Sequence, residues 1–292
     1  MNELRSIVDA FAFRRDSLIE NSKSQLEALW RATDPYDGFA VADFADRASL
    51  ISAASQQHIA LLSSTKLSNV FDLLTGEGLD FAANVPDEVR LFSHDEDYGY
   101  AKPVPRRTDI GFSERLPAEE VFNRPARKYR YLKSIGKSDQ EALDVSVERV
   151  KIAIETNVML AEREAEGQVL NFAKRSKNVT GYRRILHPEK SRGGCCGLCV
   201  AASDRVYSVE SLKAVHARCK CEVLPIIGSM DPGGEMNAED LRGLYAAAGS
   251  TAGADLKKLR FEIQEHGELG PILVSPRGVS VPHYAARGTL AA

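Results

Sequence analysis

Apolar residues recur at helical spacing from the first positions of the chain. Leu4, Ile7, Val8 and Phe11 begin a stripe that Leu18, Ser22, Leu26, Leu29 and Trp30 carry on. The pattern predicts one long amphipathic helix over residues 2–32, ended by Asp34-Pro35. A second stretch, from about Val41 to Leu74, is rich in alanine, serine and leucine, and Gln56, Gln57 and His58 interrupt it without breaking its period. The two helices are expected to pair as an antiparallel hairpin. From Gly76 to Glu114 the character changes. Gly76, Gly78, Pro86, Gly99, Pro103, Pro105 and Gly111 lie scattered among acids and aromatics, which is turn chemistry and predicts an irregular connector. The Ser93-His94-Asp95-Glu96-Asp97 run within it reads as an acidic surface loop, because no second half-site accompanies it.

Pro117 opens a further helix that runs through a cationic stretch from Arg124 to Lys133, is interrupted at Pro125 and stops at Gly136. Ser138 followed three residues later by Glu141 is a capping box. It starts a long helix reaching Phe172, with Val147, Val150, Ile154, Val158 and Ala161 on the buried stripe and Glu148, Glu155, Arg163 and Glu164 off it. A short strand over Gly181–His187 is stopped by Pro188, and a second follows over Glu222–Ile227. Between them, Val209–Ala217 reads as a short helix carrying His216. Beyond a glycine-rich break at Asp231–Glu235 the pattern predicts helices over 238–246 and 253–266. A small hairpin follows, built from Ile272–Val274 and Val279–Val281 around Ser275-Pro276-Arg277-Gly278, then a loose tail.

The fold class expected from these elements is mainly α, with long N-terminal helices and a small α+β zinc-stabilised C-terminal module. The chain divides into 1–115 (helical hairpin and connector), 116–172 (central long helices), 173–230 (zinc-knuckle module) and 231–292 (C-terminal helices, hairpin and tail).

Charge refines this picture. The net charge of -3 over 292 residues conceals an asymmetry: residues 1–100 carry 8 Lys/Arg against 17 Asp/Glu, residues 101–230 carry 24 against 16, and the remainder 6 against 8. The excess is steepest from Lys174 to Arg192, where Lys174, Arg183 and Arg184 could meet nucleic acid or an acidic protein, although a solvated face is the simpler reading. No run of residues is long and apolar enough to span a membrane. Met1 to Glu20 is charged throughout and lacks the apolar core of a signal peptide, so a reducing compartment is expected.

The strongest chemistry is a cluster of cysteines. All 5 lie between Cys195 and Cys221. Cys196 and Cys199 form a C-x2-C knuckle, and His216, Cys219 and Cys221 form an H-x2-C-x-C group after sixteen intervening residues, a spacing typical of tetrahedral zinc. Soft thiolates select zinc over Mg2+ or Ca2+. Cys196, Cys199, His216 and Cys219 rank first as ligands, Cys221 next and Cys195 last, since adjacent Cys195 and Cys196 do not readily reach one metal. Which four bind stays open at this point. Four protein ligands close the shell and make the metal structural, whereas a catalytic zinc keeps one position for water. Structural zinc contributes roughly 10–16 kcal/mol in finger peptides, so without it residues 185–225 should be loose. Disulfides, buried thiols and a Cys196–His216 catalytic pair are the competing readings.

Several phrases together resemble one family. These are Y-R-R-I-L-H-P-E from Tyr182, G-G-C-C-G-L-C-V-A-A-S-D-R-V-Y from Gly193, H-A-R-C-K-C-E-V-L-P-I from His216, and L-Y-A-A-A-G from Leu244 with H-G-E-L-G-P-I-L from His266. Over roughly residues 140–275 the chain resembles the MuF-like minor head proteins of tailed bacteriophages, particularly those infecting actinobacteria. The resemblance implies a non-enzymatic virion component, assembled in the host cytoplasm and located inside the head near the portal vertex. It also implies contacts with portal protein or major capsid protein, several copies per virion, and a role in head morphogenesis or DNA packaging. Cys196, Cys199, His216 and Cys219 match the family's metal-type cluster, Cys221 matches its closing C-x-C, and Cys195 is not required by it. Some longer relatives append an ADP-ribosylating toxin, for which the about 70 residues after Cys221 leave no expected room. Related proteins labelled capsid maturation proteases keep an enzymatic alternative open. The sequence contains no G-x-S-x-G and no H-E-x-x-H. A zinc module that binds nucleic acid is the second alternative.

Overall fold

The computed structural model describes residues 1–90, 93–95, 100–103, 115–187, 202–212, 220–238, 241–242, 262–266 and 270–274. It is mainly helical. Helix α1 (Asn2–Arg31) and helix α2 (Gly38–Thr75) pack on each other as the hairpin expected from the sequence. Asp37 caps α2 by accepting from the backbone N–H groups of Phe39 and Ala40, and Gly76 ends it at φ 79°, a conformation that glycine adopts without steric cost. The buried face of α2 is built largely from small residues, among them Ala45, Ala48, Ser52, Ser55, Ala60, Ser63 and Ser64. Ser55 turns back to the Ile51 carbonyl at 2.7 Å and Ser64 to the Ala60 carbonyl at 2.9 Å, and Ser52 accepts from Asn157 at 3.0 Å, so these three are buried with a partner.

Two strands, β1 (Ser93–Asp95) and β2 (Tyr100–Pro103), pair antiparallel within the connector, so part of the acidic run read as a loop is a hairpin. The stretch before them lacks regular structure and hangs on side chains. Gln56 donates to the Asp87 carbonyl at 2.8 Å, Gln57 to the Val85 carbonyl at 2.7 Å, and Arg90 to Asn157 at 2.6 Å.

Helix α3 (Ala118–Ser134) is continuous through Pro125, against the interruption expected there. An internal proline costs about 3 kcal/mol. Val121, Phe122, Ala126, Tyr129 and Leu132 are all buried on the same helix, and apolar burial of roughly 1.5–3 kcal/mol per large side chain outweighs that cost. Gly136 at φ 82° closes the end, with Lys137 N–H on the Leu132 carbonyl at 3.0 Å.

Helix α4 (Asp139–Ser176) starts at the expected capping box, with both reciprocal bonds of Ser138 and Glu141 present. It is the central helix: α1, α2 and α3 all pack on it, and every residue from 153 to 159 is buried. The stripe read from the sequence is therefore too narrow. Glu155 and Arg163, expected off it, are buried.

After α4 the chain enters β3 (Val179–Ile185), which takes the middle of an antiparallel sheet ordered β4–β3–β5, with β4 at Val206–Tyr207 and β5 at Glu222–Ile227. Gly181 is obligatory there, since a Cβ would lie 2.6 Å from the Tyr207 carbonyl oxygen. The helix expected over 209–217 is a 3-10 turn at Val209–Ser211 leading into extended backbone at Leu212; the rest of that range lies outside the described residues.

The break expected at Asp231–Glu235 is a helix start, with helix over 232–238. Asp231 accepts from the Gly234 N–H at 2.8 Å and Pro232 stands at the first helical position, which tolerates proline. Residues 262–266, expected to end a helix, form strand β6 (Glu262–His266), paired with β7 (Gly270–Val274) in the register His266↔Gly270. The hairpin thus lies one strand earlier than the Ile272–Val281 pairing read from the sequence. Isolated charged stretches satisfy a helical and a strand pattern alike, and cross-strand pairing decides between them.

Candidate functional site

Cys195, Cys196, Cys199, His216 and Cys219 lie outside the described residues. What is described are the two ends of the segment that contains them and a middle stretch, 202–212, that carries β4. The β3–β5 register pairs Ile185 with Glu222, so after rejoining the sheet at β4 the chain comes back beside the point where it left. His187, the last described residue on the way out, sets its Nε2 3.0 Å from Glu222 Oε1. Cys221 stands one residue before β5, with a buried thiol that accepts from Arg184 Nη1 at 3.8 Å.

Glu222 continues into a buried ionic cluster that joins three helices to the sheet. From α1, Arg15 Nη1 lies 3.5 Å from Glu162 Oε1 and 3.8 Å from Glu222 Oε1. From α2, Lys66 Nζ lies 2.7 Å from Glu166 Oε1 and 3.6 Å from Glu222 Oε2, under the face of the Phe11 ring. From α4, Arg163 bonds Glu166 with one nitrogen and the Cys221 carbonyl with the other. Around this core lies a second ring in which only Glu155 is fully buried: Lys220 reaches Glu155 at 3.1 Å and Asp16 at 3.7 Å, and Lys23 reaches Glu155 at 2.8 Å.

Burial and pairing oppose each other at Arg15, Lys66, Glu162 and Glu222. Burial disfavours charge on Arg15, Lys66 and Glu222. For Arg15 the carboxylates of Glu162, Glu222 and Asp16 outweigh it and hold the pKa above the ordinary arginine value. Lys66 is likewise held above the ordinary lysine value by Glu166, Glu222 and Glu162. Glu222 is held below the usual carboxylate range by Lys66, His187 and Arg15. Glu162 is the exception. Burial pushes its carboxyl up to about 7 in spite of Arg15 and Arg163, with Glu166 adding repulsion. One of its oxygens and both of Glu222's make no hydrogen bond, nor do the two Nη atoms of Arg15, so the cluster is held by charge more than by directed bonds.

The three convergent carboxylates do not make a metal site, because cationic side chains occupy the space between them. Among the described residues no group of three or more His, Cys, Asp or Glu side chains could hold a metal ion. Two hollows nearby, of about 390 and 460 Å3, lie between α1 and α2, and Phe11 and Lys66 line the first.

The basic residues read as possible nucleic-acid contacts differ in exposure, Lys174 being open to solvent and Arg184 not. Arg184 is fully buried, its guanidinium over the stacked rings of Tyr182 and Tyr207 at 5.9 and 5.3 Å from their centres. Arg183 is bound through Nε to Asp231 at 2.8 Å, and Lys174 pairs with Glu210. Among the described residues no helix is long and apolar enough to cross a membrane.

Sequence reasoning missed the ionic cluster, although a signal was present. Arg15 occupies the stripe position between Phe11 and Ile19 on α1, Lys66 falls between Ser63 and Val70 on α2, and Glu155, Glu162 and Glu166 are spaced by seven and four on α4. A charge at a core position on three helices that must meet is a prediction of mutual pairing. In comparisons with known proteins, no protein-family model, no curated protein and no solved structure matches the chain.

Proposed function

We propose that this chain is a structural, non-enzymatic assembly protein: a MuF-like minor head component of a tailed phage, inside the head near the portal vertex. Its Cys/His segment holds one structural zinc. The observation that carries the zinc reading is the closed excursion between β3 and β5. The ladder pairing Ile185 with Glu222 brings the segment's ends to one strand spacing, which removes much of the entropy that a metal would otherwise have to overcome in gathering its ligands. The donor set fits the ion: three thiolates and an imidazole from Cys196, Cys199, His216 and Cys219 are soft, four in number and complete a tetrahedron. Cys221 is the alternative fourth ligand. Bound zinc supplies no chemistry there beyond cross-linking the chain.

Two further features support an assembly role. The four helices share one core whose polar part is a closed ionic cluster rather than a cleft. Phe13, Leu50 and Leu61 stay exposed along the α1–α2 hairpin, as helical surfaces that meet a partner do. The residues matching the family phrases, Tyr182 to Ile226, include the sheet that frames the segment.

Elemental analysis of the purified full chain tests the metal directly. About one zinc per chain is expected, lost in Cys199→Ser and kept in Cys195→Ser. A folded chain free of zinc refutes the reading. Co-expression with a phage portal protein and capture through the portal tests the assembly role; a soluble chain that never co-purifies with portal or capsid contradicts it.

A further inference from the structure

The two hollows between α1 and α2, of about 390 and 460 Å3, share Arg14 and Leu62 as lining residues and so run together as one trough. Its lining extends from Glu3 to Gln25 on α1 and from Ile51 to Leu73 on α2, roughly 33 Å at 1.5 Å per helical residue. Ile7, Leu18, Ile51 and Leu62 line it half-buried, and Phe13 lines it exposed. Beside it, Phe39, Leu50 and Leu61 follow one another every eleven residues, about three helical turns, and form one exposed apolar row along α2. Charge is ordered along the trough. Glu3 and Asp72 line one end, where Asp9 stands one turn before Phe13. Toward the other end Asp46 stands one turn before Leu50, and Arg14 lies where the hollows join. All five are exposed, and among the described residues none of them has an ionic partner.

We infer that this trough receives one amphipathic helix of a partner protein, about six turns long, whose apolar stripe covers Phe13, Leu18, Ile51 and Leu62 and whose ends carry lysine or arginine. That a partner exists rests on the assembly reading; the trough and its charges do not, and they involve no zinc. Two helices packed side by side leave a groove that takes the apolar face of a third. Charge selects the occupant. Nucleic acid and an anionic lipid surface would meet Glu3, Asp9, Asp46 and Asp72 with like charge. A second copy docked face to face brings acids against acids and Arg14 against Arg14 in either orientation, because both ends are acidic. The chain's own cationic stretch on α3 is engaged locally: Arg127 pairs with Glu120, Lys133 with Asp139, and Arg130 donates to the Pro35 carbonyl. A basic helix from another protein sets cations against the acids at both ends, and an acidic residue at its middle meets Arg14.

Binding of synthetic peptides to the folded full chain, followed by fluorescence anisotropy, tests this. The probes are three peptides of about six helical turns: a leucine stripe with lysine toward both ends, the same stripe with glutamate toward both ends, and a scramble of the first that has no stripe. At low salt the lysine peptide is expected to bind roughly tenfold more tightly than the glutamate peptide, the gap shrinking as salt rises, and the scramble is expected not to bind. A variant with Glu3→Lys, Asp9→Lys and Asp72→Lys, all at exposed positions, should lose that preference. Phe13→Ala should weaken the lysine peptide roughly tenfold, as removal of an aromatic anchor does. Equal binding of the lysine and glutamate peptides, a preference that survives the charge reversal, or a wild type that binds neither overturns the inference. A wild type that sediments as a dimer and becomes monomeric on Phe13→Ala overturns it in favour of a second copy. Portal or capsid capture that persists unchanged in the charge-reversed and Phe13→Ala variants overturns it and leaves the assembly reading standing, whereas the expected peptide binding in a chain that captures neither supports the trough and fails that reading.

Discussion

The two ends of the helical bundle are equally buried and built on opposite principles. At one end Trp30, Phe44 and Phe122 form a chain of aromatic contacts, at 5.0 and 6.5 Å between ring centres, with one polar bond from Trp30 Nε1 to Ser146. At the other, Arg15, Lys66, Arg163, Glu162, Glu166 and Glu222 meet in a space as closed to water. The apolar end gains free energy by removing surface from water and tolerates small shifts. The ionic end gains little net free energy over apolar side chains of similar volume, yet permits almost no other arrangement, because each displaced charge becomes an uncompensated one. The contrast assigns stability to the aromatic end and specification of the helix–sheet arrangement to the ionic end.

The largest expected effect lies at the aromatic end. Trp30→Ala should cost about 3–5 kcal/mol in chemical denaturation, the range for emptying a large buried site; a loss below about 1 kcal/mol would show that the end is not load-sharing in the way described. Next comes a pH effect at the ionic end. The folded-state pKa of Glu162, about 7, lies above its ordinary value, so the folded chain keeps a proton that the unfolded chain releases. Its contribution is present at low pH and is lost as pH rises from the ordinary carboxylate range to about 7. Glu222 works in the opposite sense, its pKa being lowered, and its contribution is lost on acidification below the ordinary value. Denaturation midpoints across pH 4 to 8 should therefore decline more steeply toward neutrality for the wild type than for Glu162→Gln, and parallel curves would contradict the assignment. The smallest effect returns to the aromatic end: Ser146→Ala leaves the Trp30 N–H without its acceptor and should cost about 1–2 kcal/mol.

Legibility in the sequence followed the same division. Wherever apolar periodicity or capping chemistry decided the outcome, the reading agreed with the structure: the hairpin of α1 and α2, the capping box at Ser138, and strands β3 and β5. It erred where a local rule was overridden from a distance. Pro125 continues a helix because its neighbours are packed on α2 and α4, and Glu262–His266 is a strand because Gly270–Val274 pairs with it. Burial of Arg184 and Glu155 could not be read from charge alone, since their partners come from Cys221, α1 and residue 220. The candidate ligands were visible by spacing. The cluster that grips their segment was hidden because its members lie on different elements, and each alone resembles an ordinary surface charge.

A double-mutant cycle between Lys66 and Glu222 tests most directly whether the ionic end specifies rather than stabilises. Lys66→Met and Glu222→Leu should each be strongly destabilising, by about 3–5 kcal/mol, because each leaves a buried charge short of a partner. The double variant should recover a coupling of roughly 1–3 kcal/mol relative to the sum of the two. Additive losses, with no recovery in the double variant, would contradict the account.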